Sequence, residues 1–427
     1  MSATDKAQLC AVAAVTSVIS NVRYYDTADR TLRRGDIEIR DGEIVRIARP
    51  GSLGADDRVD GSAFVCLPGL VNAGLPADVV RDEGATSATT ADYNERVATV
   101  LYDLLLQAVS NGVTTIGMFG TRIKESLAAA IRTGVRVSLY RAYTDLWLGP
   151  EPGPAVWDTA ACLRDYEQSA RRFDGTRFAL HPAVGSQLAA STHLLTGLHD
   201  FARRHRRRFV VRVDGGIPWA DSFRDAYGCT GLGLLHSLDV LDENVLVVPV
   251  TPMSFGDRER LRHSASHVVW PARELAGSPA QRGDVARAGI TRQMQAALAW
   301  DQDALPCLVA SDDHARDERA GEIIDLLTWK GAQALTFSET GRIAVGQRAD
   351  LLLYDGHVLA DDGRSATACM AVLDAICRYR PRGVLVDGRW AIAGVFQDRG
   401  RLSPAGRLAL TPRHPRDTMH ASPRPAP

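Results

Sequence analysis

Eight short apolar runs, separated by amphipathic stretches, constrain this chain more than any other feature of it. They are Phe64–Asn72, Thr114–Phe119, Arg136–Tyr143, Arg177–Ala183, Phe209–Gly215, Val245–Thr251, His267–Ala272 and Cys307–Asp313. Each has the length and composition of a strand buried on both faces. The stretches between them, such as Tyr93–Ser110 and Ser126–Thr133 closed by Gly134, carry a helical period. Strands alternating with helices imply a parallel sheet. Eight such units imply a closed (β/α)8 TIM barrel, an α/β fold.

The two ends of the chain read differently. Val15–Tyr25, Asp36–Ile39 and Glu43–Ile47 are short strands, and Asp41-Gly42 is a hairpin signal between the last two. After about residue 340, Ala349–Tyr354, Ala371–Arg378, Gly383–Val386 and Trp390–Ala393 also read as strands, with Asp387-Gly388 as a second hairpin signal. Residues 1–65 and 340–397 are therefore expected to meet as a small composite β-sandwich domain, with the barrel spanning 66–339. The segment 398–427 is rich in Pro and Arg with little periodicity, and reads as a largely disordered tail.

Composition narrows the partners. A formal net charge of -1 provides no global field for nucleic acid or anionic membrane. The basic run Arg203–Arg208 reads as a helix C-terminus whose cations complement the dipole; no aromatic platform is interleaved with it. Seven cysteines include no CxxC pair, which fits buried free thiols in a reducing cytoplasm. The apolar stretch Leu9–Ile19 mimics a signal peptide, but Asp5 precedes it beside Lys6 and it runs straight into strand-like Ser20–Tyr25. No apolar run reaches the roughly 18 residues of a membrane span. The expectation is a cytoplasmic protein that meets a small molecule, not nucleic acid or membrane.

Three stretches carry a resemblance to a known family. Val65-Cys-Leu-Pro-Gly-Leu-Val-Asn72 resembles the entry into the first barrel strand of the amidohydrolase superfamily. Lys330-Gly-Ala-Gln-Ala-Leu335, with the stretch Gly341 to Leu351, resembles its closing segment, and Val384-Leu-Val-Asp-Gly388 its final strand pair. The nearest branch is that of atrazine/triazine hydrolases and S-adenosylhomocysteine, guanine and cytosine deaminases. The resemblance covers the chain to about residue 397. It implies a barrel with a metal-dependent hydrolytic site, often in a homodimer.

The chemistry departs from that pattern. The family's HxH falls on Gly74 and Pro76, its third metal histidine on Arg212, its acid/base glutamate on Gly215 and its fourth histidine on Pro249. Only the aspartate of the eighth strand matches, as Asp312 in Ser311-Asp312-Asp313-His314. A zinc site needs three or four N, S or O ligands at about 2 Å. None of the eleven histidines has another two residues away, so no HxH has slid along the chain. The expectation is no metal and no cofactor; the exception to it is a rebuilt ligand set such as Asp214, Asp312 and His314.

The remaining polar residues at expected strand ends are candidates. His181 matches a histidine that contacts substrate in the related deaminases, or is a satisfied core histidine. Arg212 and Asp214 lie two apart and share a strand face. They are either a buried pair or an Arg fork for a substrate carboxylate or carbonyl with its neighbour. Asp312 and His314 also share a face, as a proton-transfer dyad or with Asp312 accepting Arg212. Trp219 and Trp270 wall a pocket for a planar ligand or simply pack. Two functions stay open. One is a metal-independent enzyme that uses acid/base chemistry on a small nitrogen-containing metabolite by C–N cleavage, elimination, cyclisation or isomerisation. In it His181, Asp312 and His314 are catalytic, and Arg212, Asp214, Trp219 and Trp270 bind. The other is a non-catalytic relative that binds a ligand or pairs with an active homologue.

Overall fold

The computed structural model describes residues 16–54, 57–75, 90–148, 155–213, 223–249, 253–271, 295–299, 316–359 and 368–393. Its strands before the barrel are β1 (Thr16–Asp26), β2 (Thr31–Arg40), β3 (Glu43–Ala48), β4 (Asp57–Asp60) and β5 (Phe64–Pro68). The barrel strands are β6 (Leu70–Leu75), β7 (Val113–Phe119), β8 (Arg136–Tyr143), β9 (Phe178–Val184), β10 (Phe209–Val213), β11 (Val245–Pro249), β12 (His267–Pro271) and β13 (Gln295–Ala299). The closing strands are β14 (Leu351–Asp355), β15 (Gly383–Val386) and β16 (Arg389–Ile392).

The barrel strands form one sheet in sequence order from β6 to β13, every neighbouring pair parallel. β13 lies alongside β6, so the two edges of the sheet approach each other. This is the expected α/β barrel architecture. The flanking helices include Thr90–Ser110, Ile123–Thr133 and Thr192–Arg204. Gly134 closes the second at φ 75°, a left-handed cap that glycine adopts without a Cβ clash. Arg203 and Arg204 sit in the last turn of the third, as the dipole reading of the basic run expects. No described helix is long and apolar enough to cross a membrane.

The chain ends meet in a second, mixed sheet ordered β16-β15-β14-β5-β1-β2-β3, with β4 against β1. Asp41 and Gly42 sit at φ 54° and 79° between β2 and β3, and Asp387 and Gly388 at φ 50° and 67° between β15 and β16. Two successive positive φ angles are what a tight hairpin needs, so both turn signals hold.

Three expectations change. The run Phe64–Asn72 is two strands: β5 belongs to the end sheet and β6 opens the barrel. The chain crosses over at Gly69, where a Cβ would lie 2.2 Å from the Thr114 hydroxyl oxygen. Ala371–Arg378 is not a strand but the body of a helix, Ala368–Arg378. Its buried residues Cys369, Val372, Leu373 and Ile376 fall at helical spacing, and that period outweighs the β-branched content of a short apolar run. The strand beside β12 is Gln295–Ala299; the expected strand Cys307–Asp313 and the tail 398–427 lie outside the described residues.

Side chains inside the barrel are separated from those facing the helices. Val71, Ala73, Ala179, Ala183, Val210 and Leu246 point inward. Ala332, Ala334, Leu335 and Phe337, in and after the short helix Trp329–Ala334, pack against them and plug the N-terminal end. A charge network secures this floor to the end sheet. Arg136, the first residue of β8 and 1% exposed, donates Nη2 to Asp350 at 3.2 Å and to Asp387 at 2.7 Å. Arg348 reaches the same Asp387 at 2.7 Å, and the Asp387 amide donates to Asp350 at 2.9 Å. Burial pushes the Asp350 carboxyl up against the pull of Arg136. Burial also acts on Asp387, but Arg136 and Arg348 outweigh it and hold that carboxyl below its ordinary range. With the floor closed in this way, the mouth at the strand C-termini is the end left for chemistry.

Candidate functional site

At the mouth the sequence places Gly74 near the end of β6, Arg212 near the end of β10 and Pro249 at the end of β11. Glycine and proline side chains offer no ligand atom, and a guanidinium repels a cation. These three positions do not fit a metal of the family type. Among the described residues there is no group of three or more His, Cys, Asp and Glu able to hold one.

A column of side chains crosses the barrel at this level. The Arg212 guanidinium lies over the Phe119 ring, 4.6 Å from its centroid. Phe119, the last residue of β7, meets Tyr140 of β8 edge-on with centroids 5.2 Å apart. The Tyr140 hydroxyl donates to the Ala73 carbonyl of β6 at 2.8 Å. Gly117 makes the room, since a Cβ there would lie 2.0 Å from the Tyr140 hydroxyl oxygen. Burial pushes the Tyr140 phenol well above its ordinary value, so the hydroxyl stays a donor. The column therefore links strands β10, β7, β8 and β6.

The local sequence explains these directions. Alternation along β7 puts Thr115, Gly117 and Phe119 on one face, and along β8 it puts Arg136, Ser138 and Tyr140 on one face. Both faces point inward, because Phe119 and Tyr140 belong to the interior cluster. Val210 points inward too, so Arg212, two residues on, does the same.

His181 is elsewhere. It lies three residues before the end of β9, between Ala179 and Ala183 on the inward face, and is fully buried. Its Nδ1 accepts the Arg208 backbone N–H at 3.0 Å, and Nε2 stands 3.4 Å from the Thr336 hydroxyl. Both contacts belong to the floor. Burial, reinforced by the Arg207 and Arg208 charges, lowers its pKa to about 3. A neutral ring whose Nδ1 already accepts an N–H has no lone pair there for a substrate proton. His181 was read at the strand end, but β9 continues past it to Val184, which leaves its ring below the mouth.

Asp214, Asp312, His314 and Trp219 lie outside the described residues. Trp270 is placed by its backbone alone, on β12 opposite Leu298 of β13. Sequence reasoning missed Phe119, Tyr140 and Gly117. The signal available was weak: an aromatic at the end of one expected strand and another in the middle of the next. It also missed Gln187, which is buried just beyond β9; the Cβ of a residue at Gly231 would sit 3.0 Å from it and 2.9 Å from Val213.

No family model matches the chain. It is 23% identical over 352 residues to the 5'-deoxyadenosine deaminase of Methanosarcina acetivorans, covering 76% of this chain and 80% of that protein. It is 26% identical over 369 residues to the 5-methylthioadenosine/S-adenosylhomocysteine deaminase of Haloarcula marismortui, covering 77% and 82%. Among solved structures it superposes on a zinc complex of atrazine chlorohydrolase from Arthrobacter aurescens with a TM-score of 0.71 at 14% identity, covering 88% of this chain and 95% of that one. It superposes on a zinc-bound adenosine deaminase from Xanthomonas campestris with a TM-score of 0.69 at 16% identity, covering 88% and 92%. The relatives are deaminases and the structural neighbours include a triazine hydrolase, which is the branch of the amidohydrolase superfamily that the three motif stretches resemble.

Proposed function

We propose that this amidohydrolase-like barrel acts on a small nitrogen-containing metabolite without a metal, by acid/base chemistry at its mouth. The observation that carries the reading is the Arg212 guanidinium held over Phe119 inside the barrel, at the position that the family resemblance gives to a metal histidine. The side chain that replaces the ligand is a fixed cation, which takes over charge stabilisation but not water activation. Proton transfer then falls to Asp312 and His314, two apart in the sequence. Asp214, Trp219 and Trp270 are the remaining candidates for contacts to the ring of the metabolite. His181 is left out of the chemistry, because the floor uses both of its nitrogens. The nitrogen-rich substrate class rests on the nucleoside deaminases among the relatives. The test is turnover of a panel that includes 5'-deoxyadenosine and 5-methylthioadenosine, followed by mass spectrometry with and without a strong chelator. The expected result is product formation that the chelator leaves intact and that Asp312→Asn or His314→Ala abolishes. Turnover that the chelator stops refutes the proposal.

Gly74 and Pro249 favour a second reading, in which the pocket binds but does not react. Neither residue carries a proton or a charge, and absent catalytic selection would leave such positions open to them. On this reading the protein binds a metabolite as a homodimer, or partners a ligand-complete homologue. Saturable binding without any product across the panel, together with recovery of such a homologue in a pull-down, would support it; product formation removes it.

A further inference from the structure

Between the floor and the mouth, the barrel interior carries polar atoms that neither end uses. A barrel of this kind is ordinarily filled by layers of bulky branched side chains. Here Thr115 of β7 and Ser138 of β8 stand in the interior, both fully buried. Their neighbours Ile116, Val137 and Leu139 belong to the cluster that faces the helices, so alternation turns Thr115 and Ser138 inward. Arg136 precedes Ser138 by two residues on the same face. The Thr115 hydroxyl, the Ser138 hydroxyl and the Arg136 Nε have no hydrogen-bond partner among the described residues. Nη2 of Arg136 is taken by Asp350 and Asp387, and Nη1 donates to the Thr176 carbonyl at 3.3 Å. Nε is the nitrogen left over.

Strand register brings these atoms to one place. Thr115 is the direct neighbour of Arg136 across the β7–β8 pair, and Ser138 occupies the next inward position of β8. Neighbouring strands lie about 4.8 Å apart, and successive inward positions about 6.6 Å, so a side chain and its hydrogen-bonded water cover the span. In register, Ser138 is flanked by Gly117 of β7 and Ala179 of β9, which add no side chain and a methyl group. The Tyr140 hydroxyl crosses Gly117 and closes the space on the mouth side.

We infer that the barrel core binds ordered water here, held by Thr115 Oγ1, Ser138 Oγ and Arg136 Nε. A buried polar group without a partner is costly, and a buried water typically makes about three hydrogen bonds to such groups. Water suits this set, because it accepts from the Nε–H and donates to the hydroxyl oxygens. An anion suits it less: Asp350 and Asp387 already sit on the same guanidinium, and a third negative group would join them out of reach of solvent. The site lies below the Tyr140 column, so the inference does not depend on the chemistry proposed for the mouth.

Water relaxation dispersion, measured by magnetic resonance, counts the waters that a protein holds inside for longer than it takes to tumble. The wild-type protein should lose at least one such water when Thr115→Val and Ser138→Ala are combined. Thr115→Ser, which keeps a hydroxyl, should retain it. An equal count in the wild type and the double variant overturns the inference. Near-ultraviolet circular dichroism reports whether the double variant folds. If it does not, a high-resolution crystal structure of the wild type decides: water density is expected within about 3.2 Å of at least two of the three atoms. A dry interior, or hydroxyls turned onto strand carbonyls, overturns the inference. So does an anomalous bromide peak at this place in crystals soaked in sodium bromide, which would make the occupant an anion.

Discussion

The two ends of the barrel each hold an inward-pointing arginine, in different surroundings. At the floor, Arg136 is shut away from solvent between Asp350 and Asp387, and the network joins β8 to the end sheet. At the mouth, Arg212 is half-buried over an aromatic ring on β7. The floor arginine has its charge compensated by two carboxylates that the sequence brings from residues more than 200 positions away. The mouth arginine lies over Phe119, near the strand end where barrel ligands bind. One cation serves cohesion; the other is the cation on which the proposed function rests.

The largest expected effect breaks the floor. Arg136→Met leaves the buried Asp350 carboxylate without its cation, beside an Asp387 that keeps Arg348, and should cost about 3–5 kcal/mol in urea denaturation, the scale of a broken buried ion pair. A loss below about 1 kcal/mol would mean that the network is not what secures the floor. Acid should act on the same end. His181 and His267 are both buried, with pKa values lowered to about 3, burial being the first cause in each. The unfolded chain, with ordinary histidines near 6.5, binds more protons than the folded one between those values. Stability from these two groups is therefore complete above pH 6.5 and is lost as pH falls towards 3, by up to about 1.4 kcal/mol per pH unit for each. A chemical denaturation series in pH should show this slope, and His181→Asn should flatten it. An unchanged slope in that variant would remove His181 from the floor account.

The middle of the barrel comes next. Gly117→Ala drives a Cβ into the Tyr140 hydroxyl and should cost about 1–3 kcal/mol, as overpacking does. In a Tyr140→Phe background the cost should shrink, so a double-mutant cycle reads the contact directly. Strict additivity would say that the two residues do not meet. The smallest effect on stability belongs to the mouth: Arg212→Gln should cost about 1 kcal/mol, the scale of a lost cation–π contact. A large loss there would make Arg212 a structural residue like Arg136 and erase the contrast between the two ends.

How much of this was legible in the sequence differs between the fold and the site. Strand β8 was read to its ends, because a parallel strand buried on both faces is a continuous apolar run. The two Asp-Gly turns were legible because few other dipeptides tolerate two positive φ angles. The helix Ala368–Arg378 was misread because a short apolar run has no period visible to a strand template. The break at Gly69 was hidden because both sides of it are equally buried. Within the site, Arg212 stood out because the family resemblance puts it at the position of a metal histidine. Its partner Phe119 did not, since the two are 93 positions apart in the sequence and only barrel closure brings them together. His181 was read towards the mouth for want of knowing how far β9 continues; the reach of a strand is set by its neighbours, not by its own residues.

The central claim is that the mouth works without a metal, on an arginine held where a metal ligand would stand. Elemental analysis of protein purified in buffers with no added metal tests it most directly. The account predicts less than about a tenth of an equivalent of zinc, iron, manganese or nickel, because the positions at the ends of β6, β10 and β11 supply no ligand. Close to one equivalent, lost on Asp312→Ala, would contradict it and would return the barrel to metal-dependent hydrolysis.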